Sequence, residues 1–271
     1  MSAPSADLLE EVVEQVRSSE KYAAIDKGMV RSIASVELHK RRSLKEAVKA
    51  TRNKLHQVGS AYQEKPIPYA AWQAELKELP ADLNAEAVKT FLSMNMHAHA
   101  STSERLSIHE TFFMQTLVSL GPLHSVLDLA CGLNPLNLPW MPVAPEFSYS
   151  ACDIYQDMSD YLNTFFQHFS INGSAALCDL TRTIPQQTAQ LALLLKTIPC
   201  LEQIDKSAGQ KLLDGLQTEN ILVSFPAHSL SGRAKGMVQN YETHFMQLVA
   251  GKHWQITRFE YPGELAFLIR K

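Results

Sequence analysis

Three aspartates follow apolar, β-rich runs and are the positions best suited to chemistry: Asp128 in HSVLDLA, Asp153 in FSYSACDIY and Asp179 in AALCDL. The first run leads into a turn of small residues, with Ala130, Gly132 and Pro135. A strand that ends in small residues lets its backbone approach a bound nucleoside at the carboxyl edge of an open α/β sheet. A dinucleotide pyrophosphate calls for G-x-G-x-x-G at this place. The turn holds a single glycine, so a phosphate cradle is disfavoured. Twenty-one residues after Gly132, Asp153 is placed to accept both hydroxyls of a ribose. Asp179, one strand later, can accept from an adenine amine. Adenosine held without phosphates points to S-adenosylmethionine.

These positions need a scaffold, and the hydrophobic pattern supplies one. Up to about residue 110 the chain reads as helices, at 7–19, 27–38, 43–57, 70–79 and 84–96, with Pro66 and Pro68 breaking the run. Beyond residue 122, short β-rich runs alternate with helical ones: HSVLDLA, FSYSACDIY, AALCDL, LALLLKTI and NILVSFP. That alternation predicts a parallel sheet with crossover helices. WQITRFEY and ELAFLIRK flank Pro262-Gly263 and read as a closing antiparallel hairpin.

Charge divides the chain more sharply than its net value of −3 suggests. Between residues 21 and 65 there are eleven Lys and Arg against four Asp and Glu. Arg42, Lys45, Lys49 and Arg52 recur at helical spacing opposite Leu44, Val48 and Leu55, with Lys54 nearby. Basic side chains grouped on one helix face suit phosphate contacts, because neutralising phosphates releases counterions. Cys131, Cys152, Cys178 and Cys200 form no CxxC pair and read as free thiols, with no metal site expected. The acidic start MSAPSADLLEE is unlike a secretory signal, and no run approaches the length of about 18 apolar residues that a membrane span needs. A cytoplasmic location with no membrane partner is the expectation.

With the adenosine pocket and the basic segment in view, the sequence resembles the aminoglycoside-resistance 16S rRNA methyltransferases that modify N7 of guanine-1405. The resemblance rests on KYAAIDKGMVRSIA, KLHQVGSAY, HASTSERL, DLACGLNP, LLLKTIPCLE, SFPAHSLSGRAKGMVQNY and GELAFLI, which run through most of the chain in order. It implies a class I S-adenosylmethionine-dependent methyltransferase: a Rossmann-like, seven-stranded mixed sheet of order 3-2-1-4-5-7-6, with an N-terminal helical domain. Residues 1–107 would be the helical domain that binds RNA and the 30S subunit, and residues 108–271 the methyltransferase domain, acting as a monomer. By the same resemblance, Tyr62 packs near the cofactor, and His99, Ala100, Ser101 and Arg105 close over it, Arg105 on the methionine carboxylate. Ala130 and Gly132 line the turn, Asp153 holds the ribose, Asp179 and Leu180 frame the adenine, and Leu195 lies beside it. Some relatives carry a cofactor-contacting Gln in the helix after the fourth strand, where this chain has Ile204 with Gln203 adjacent.

Lys196 follows an apolar strand and needs solvent or an anion for its ammonium, and the resemblance puts it at the target face, where it would position the RNA. After the fifth strand, Gly232, Arg233, Lys235, Gly236 and Met237 form a basic, glycine-containing loop suited to RNA, with Met237 able to pack on an extruded base. Guanine N7 keeps an in-plane lone pair at neutral pH, so attack on the sulfonium methyl requires no general base, and catalysis becomes chiefly a matter of positioning. Two other readings compete. Pro199-Cys200 matches the nucleophilic dipeptide of cytosine-C5 methyltransferases, which requires a thiolate facing the pocket. A non-catalytic ribosome-binding protein with a vestigial cofactor pocket is the second.

Overall fold

Strand alternation determines the layers. In LALLL, residues 191, 193 and 195 belong to one apolar cluster and residues 192 and 194 to another. Successive side chains of a strand point to opposite faces, so a strand that is apolar throughout must be covered on both. A computed structural model, describing residues 6–60, 62–63, 65–228 and 236–271, shows this arrangement. Seven strands, β1 Leu123–Leu129, β2 Val143–Asp153, β3 Asn172–Leu177, β4 Leu191–Leu195, β5 Asn220–Pro226, β6 Gln255–Tyr261 and β7 Glu264–Arg270, form one sheet ordered β3-β2-β1-β4-β5-β7-β6. The first five run parallel, and β7 is antiparallel to both β5 and β6. The expected class I order is therefore present. Its direction reverses between β1 and β4, the switch point at which open α/β sheets leave a crevice.

The helices are α1 Ala6–Arg17, α2 Glu20–Ala23, α3 Lys27–Lys40, α4 Leu44–Leu55, α5 Tyr69–Lys77, α6 Glu86–Met96, α7 Ala100–Arg105, α8 His109–Leu117, α9 Gln156–His168, α10 Thr197–Leu201, α11 Ala208–Gly215 and α12 Met237–Leu248. In α1, α3 and α4 the apolar stripes face one another through Val12, Val16, Val30, Ala34, Ala47 and Leu55, all fully buried. Asp26 caps α3 by accepting the Met29 N–H at 2.7 Å, and Ser43 caps α4 by accepting the Glu46 N–H at 3.3 Å. This bundle is tied to the end of β2. The Asp26 N–H donates to the Ile154 carbonyl at 2.8 Å, and the Gln156 N–H donates to the Ala24 carbonyl at 2.9 Å.

Helices α5 and α6 pack against α9, which covers one face of the sheet beside β3. Tyr69 meets the Tyr161 ring of α9 at 5.5 Å, and Asn95 of α6 donates to the Tyr161 hydroxyl at 2.9 Å. One expected strand end shifts: β3 stops at Leu177, which leaves Asp179 in the loop beyond. β4 stops at Leu195 as expected, and Lys196 after it takes a left-handed backbone with φ 58°.

Candidate active site

The carboxyl ends of β1 to β4 open onto a cavity closed from above by the Tyr62 segment and the start of α7. Asp153, the last residue of β2, has both oxygens engaged from one side. Oδ2 accepts the Gly132 N–H at 2.8 Å and Oδ1 accepts the Ile154 N–H at 2.7 Å. Burial pushes this carboxyl up, and the backbone N–H groups of Gly132, Ile154 and Tyr155 oppose that rise. A carboxylate oxygen can accept more than one hydrogen bond, so Asp153, which lines the cavity, has acceptor capacity left for a ribose diol.

The turn that supplies the Gly132 N–H is under strain. Ala130 and Gly132 have φ of 53° and 52°, and a Cβ on Gly132 would sit 2.6 Å from the His99 ring. Glycine is required there by close approach as well as by conformation.

Two buried polar atoms lack partners at the cavity. Asp179 Oδ1 is taken by the Thr181 N–H at 3.0 Å and the Thr181 hydroxyl at 2.5 Å, while Asp179 Oδ2 accepts no hydrogen bond among the described residues. His99 Nδ1 is likewise unpartnered, and burial, with the Lys196 and Arg105 cations beside it, pushes the ring down to about 4 and so keeps it neutral. Buried polar atoms are nearly always satisfied, so such orphans mark places where a ligand supplies the bond. An exocyclic amine fits Asp179 Oδ2, and Leu180 and Leu195 give the flat apolar walls a purine needs. The donor set thus fits an adenosyl group without phosphates.

His99 stacks on Tyr62 with ring centroids 6.0 Å apart, and Ser101 also lines the cavity. Ala100 does not line it. Its N–H donates to the Tyr62 carbonyl at 2.9 Å and so fastens the covering segment to α7.

Arg105 departs from expectation. The guanidinium is 1% exposed and does not line the cavity. Its Nη2 donates to Glu264 Oε1 at 2.6 Å, its Nε to Glu264 Oε2 at 3.1 Å, and its Nη1 to Asn134 Oδ1 at 3.3 Å. The carboxylate on its fork belongs to β7 of its own chain.

Asp128 is a second surprise. Although it lies near the end of a strand like the other two aspartates, its Oδ2 accepts from the Tyr149 hydroxyl at 2.7 Å and from Asn134 Nδ2 at 2.9 Å, and burial pushes it up to about 7. It holds the turn through Asn134 and does not line the cavity. A continuous buried network results, running from Tyr149 through Asp128, Asn134, Arg105 and Glu264 to Lys196.

Lys196 solves its burial with anions and not by reaching water. Its Nζ donates to Glu104 Oε2 at 2.5 Å and lies 3.6 Å from Glu264 Oε2. It stands where the cavity meets a second one lined by Glu104, Met237 and Tyr241, and Tyr62, Lys196 and Cys200 line both. Gln203 belongs to this second cavity and Ile204 packs into the core, so neither reaches the adenosyl side.

Cys200 faces the cavity, yet burial raises its thiol to about 11, an effect that the Tyr62 hydroxyl 3.1 Å away only partly offsets. A thiol that stays protonated is a poor nucleophile. Cys200→Ala should therefore keep its methyl-transfer rate within about tenfold, where loss of a covalent nucleophile costs on the order of 10⁶. Radiolabel transfer to the substrate measures this, and an abolished rate restores the covalent reading.

Of the basic side chains, Arg42, Lys45 and Lys49 are exposed on or beside α4. Arg52 and Lys54 turn inward. Arg52 donates to the Gln15 carbonyl of α1 at 2.5 Å, and Lys54 donates to the Gln203 carbonyl at 2.8 Å. Arg52 thereby braces α4 against α1, and Lys54 ties α4 to the turn after α10. Met237 opens α12 and lines the second cavity. Arg233 and Lys235 lie outside the described residues. Sequence reasoning missed Met29 of α3 and Gly59, which reach the adenosyl cavity from the amino-terminal helices. Met29 carries no signal that separates it from other apolar helix positions, whereas the Gly59-Ser60 pair before Tyr62 was a legible small-residue cue.

Residues 17–268 match the family model described as ribosomal RNA methyltransferase (FmrO). The chain is 32% identical over 272 residues to a 16S rRNA (guanine(1405)-N(7))-methyltransferase of Micromonospora echinospora, covering 100% of this chain and 99% of the relative. It is 34% identical over 263 residues to the enzyme of the same name from Serratia marcescens, covering 97% and 98%. The solved structure of the 16S rRNA methyltransferase RmtF in complex with S-adenosyl-L-homocysteine aligns with a TM-score of 0.84 at 28% identity, over 99% of this chain and 100% of that one. On these grounds, and on a cavity built for an adenosyl donor, the chain belongs to the FmrO family of ribosomal RNA methyltransferases.

Proposed function

We propose that this protein transfers the methyl group of S-adenosylmethionine to N7 of guanine-1405 in 16S rRNA. The observation that carries this reading is the junction of two cavities at Tyr62, Lys196 and Cys200, one shaped for an adenosyl group and the other open to an incoming base. Asp153 holds the ribose, Asp179 Oδ2 accepts from the adenine amine, and Leu180 and Leu195 sandwich the ring. Tyr62, His99, Ser101 and the Ala130–Gly132 turn enclose the remainder. The donor supplies an electrophilic methyl on a sulfonium. The N7 lone pair forms the new C–N bond as the C–S bond breaks, and no proton has to leave. His99, buried and neutral, is not required as a base, and rate arises from alignment and exclusion of water. Lys196 orients the base at the junction.

N7 of a stacked guanine is masked, so the nucleotide must be extruded. The helical region within residues 1–107 would hold the small subunit while this happens, through Arg42, Lys45 and Lys49. A monomer acting on the assembled 30S particle in the cytoplasm fits this arrangement, and no helix among the described residues is long and apolar enough to cross a membrane. A methylated, cationic N7 at this position implies resistance to 4,6-disubstituted deoxystreptamine aminoglycosides by repulsion and steric exclusion.

Mass spectrometry of 16S rRNA, after incubating small subunits with protein and S-adenosylmethionine, should locate one added methyl at guanine-1405. Absence of transfer under saturating donor overturns the reading and favours a protein that only binds ribosomes. Reversing Arg42, Lys45 and Lys49 to Glu should weaken subunit binding and flatten its salt dependence by roughly one unit of log–log slope per lost phosphate contact. Calorimetry should find cofactor affinity unchanged, and an unaltered salt slope would show that this face does not meet phosphate.

A further inference from the structure

The second cavity pairs Lys196 with Glu104, a side chain to which the methyl transfer described above assigns no part. Lys196 Nζ and Glu104 Oε2 lie 2.5 Å apart where α7 faces the junction, and both residues line the cavity. Lys196 is buried, while the Glu104 side chain is 37% exposed at the rim, so the carboxylate is the member open to an incoming group. Glu104 Oε1 accepts no hydrogen bond among the described residues. On its other side the ammonium keeps Glu264, with Oε2 at 3.6 Å, so its charge stays compensated when Glu104 turns toward a ligand.

A hydrogen-bond donor beside an acceptor is the complement of guanine along the edge next to N7. There O6 accepts, and N1–H and the N2 amine donate. Adenine reverses the pattern, with a donating N6 amine and an accepting N1. Presented to the same two residues, it would set amine against ammonium and lone pair against carboxylate. Enzymes that extrude a base read it through that edge, between flanking side chains. Tyr62, Tyr241 and Met237 line the walls here.

We propose that Glu104 is the specificity-determining residue for the acceptor base, its carboxylate accepting N1–H and the N2 amine of the extruded guanine while Lys196 donates to O6. This rests on the methyl transfer proposed above and names the group that selects its substrate. Such a role differs from that of a mere counter-ion to Lys196, which would be indifferent to the N2 amine.

The test pairs a protein change with a base change. Small subunits are reconstituted from 16S rRNA carrying guanosine or inosine at position 1405. Inosine keeps N7, O6 and N1–H and lacks only the N2 amine. Single-turnover methyl transfer is measured for wild type, Glu104→Gln and Glu104→Ala, each first checked for unchanged S-adenosylmethionine affinity. The wild type should be slower on inosine by roughly 10-fold, within the range of one specific base contact. Glu104→Ala should be slow on guanosine and no slower on inosine, and Glu104→Gln, which keeps one accepting oxygen, should fall between. A full guanosine-to-inosine ratio retained in Glu104→Ala overturns the proposal, as does a wild type that ignores the N2 amine. Failure of the wild type to methylate either particle instead sinks the underlying function, a result distinct from an unchanged ratio.

Discussion

Asp153→Ala is expected to lower affinity for S-adenosylmethionine by about 10²- to 10⁴-fold, because two charge-assisted hydrogen bonds to the ribose, each worth about 1.5–3 kcal/mol, are removed together. The aspartate serves the protein as well as the ligand. Its two oxygens order the Gly132 and Ile154 N–H groups, at 2.8 and 2.7 Å, and those donors would be left without partners. The strained turn from Ala130 to Gly132 should loosen in consequence. Isothermal titration measures the loss directly. Binding to small subunits should survive, since the exposed basic side chains lie on α4 and not at the sheet edge. Equal cofactor affinity in wild type and variant would overturn the ribose assignment.

Glu264→Gln should have the largest effect on stability. Glu264 is fully buried between Arg105 and Lys196, which are 1% and 4% exposed. Removing its charge strands a guanidinium and leaves the ammonium only Glu104. Breaking a buried pair from one side costs about 3–5 kcal/mol, and in a protein of this size that lowers Tm by roughly 10 °C. Burial alone would push the Glu264 carboxyl up, but Arg105, and after it Lys196, outweigh burial and hold it below the ordinary value of 4.5.

The sign of the pH dependence follows. A carboxyl with a depressed folded-state pKa contributes stability that is present above the unfolded value and lost as pH falls through the folded one. The wild type should therefore lose this contribution on acidification below about 4.5, while the Gln variant, already without it, should show a flatter acid limb. Replacing Arg105 and Glu264 together by apolar residues of similar volume should recover much of the stability. Calorimetric Tm values across pH check all three statements, and an unchanged Tm in Glu264→Gln would show the network to be incidental.

What was legible from the residues alone was local. The unbroken apolar runs of β4, β5 and β7 announce strands covered on both faces, and the folded sheet divides their side chains between two clusters. The helices read at 27–38 and 43–57 are present as α3 and α4, and the structure adds their caps, Asp26 and Ser43. The small-residue turn after β1 and the acidic residue at the end of β2 declare an adenosyl site, because closeness along the chain ensures closeness in space. Motifs carried over from the family resemblance extended this to Tyr62, His99 and Ser101, each of which lines the same cavity.

Tertiary structure decided where the long polar side chains end. Arg105 meets Glu264 across 159 positions, Lys196 meets Glu104 across 92, and Lys54 meets the Gln203 carbonyl across 149. A buried charge must find a partner wherever the folded chain offers one, and no periodicity records which. The same reason separates Asp128 from Asp153 and Asp179. All three sit at or near strand ends, but only the packing of Tyr149 and Asn134 turns the first into part of the foundation, while the other two line the cavity.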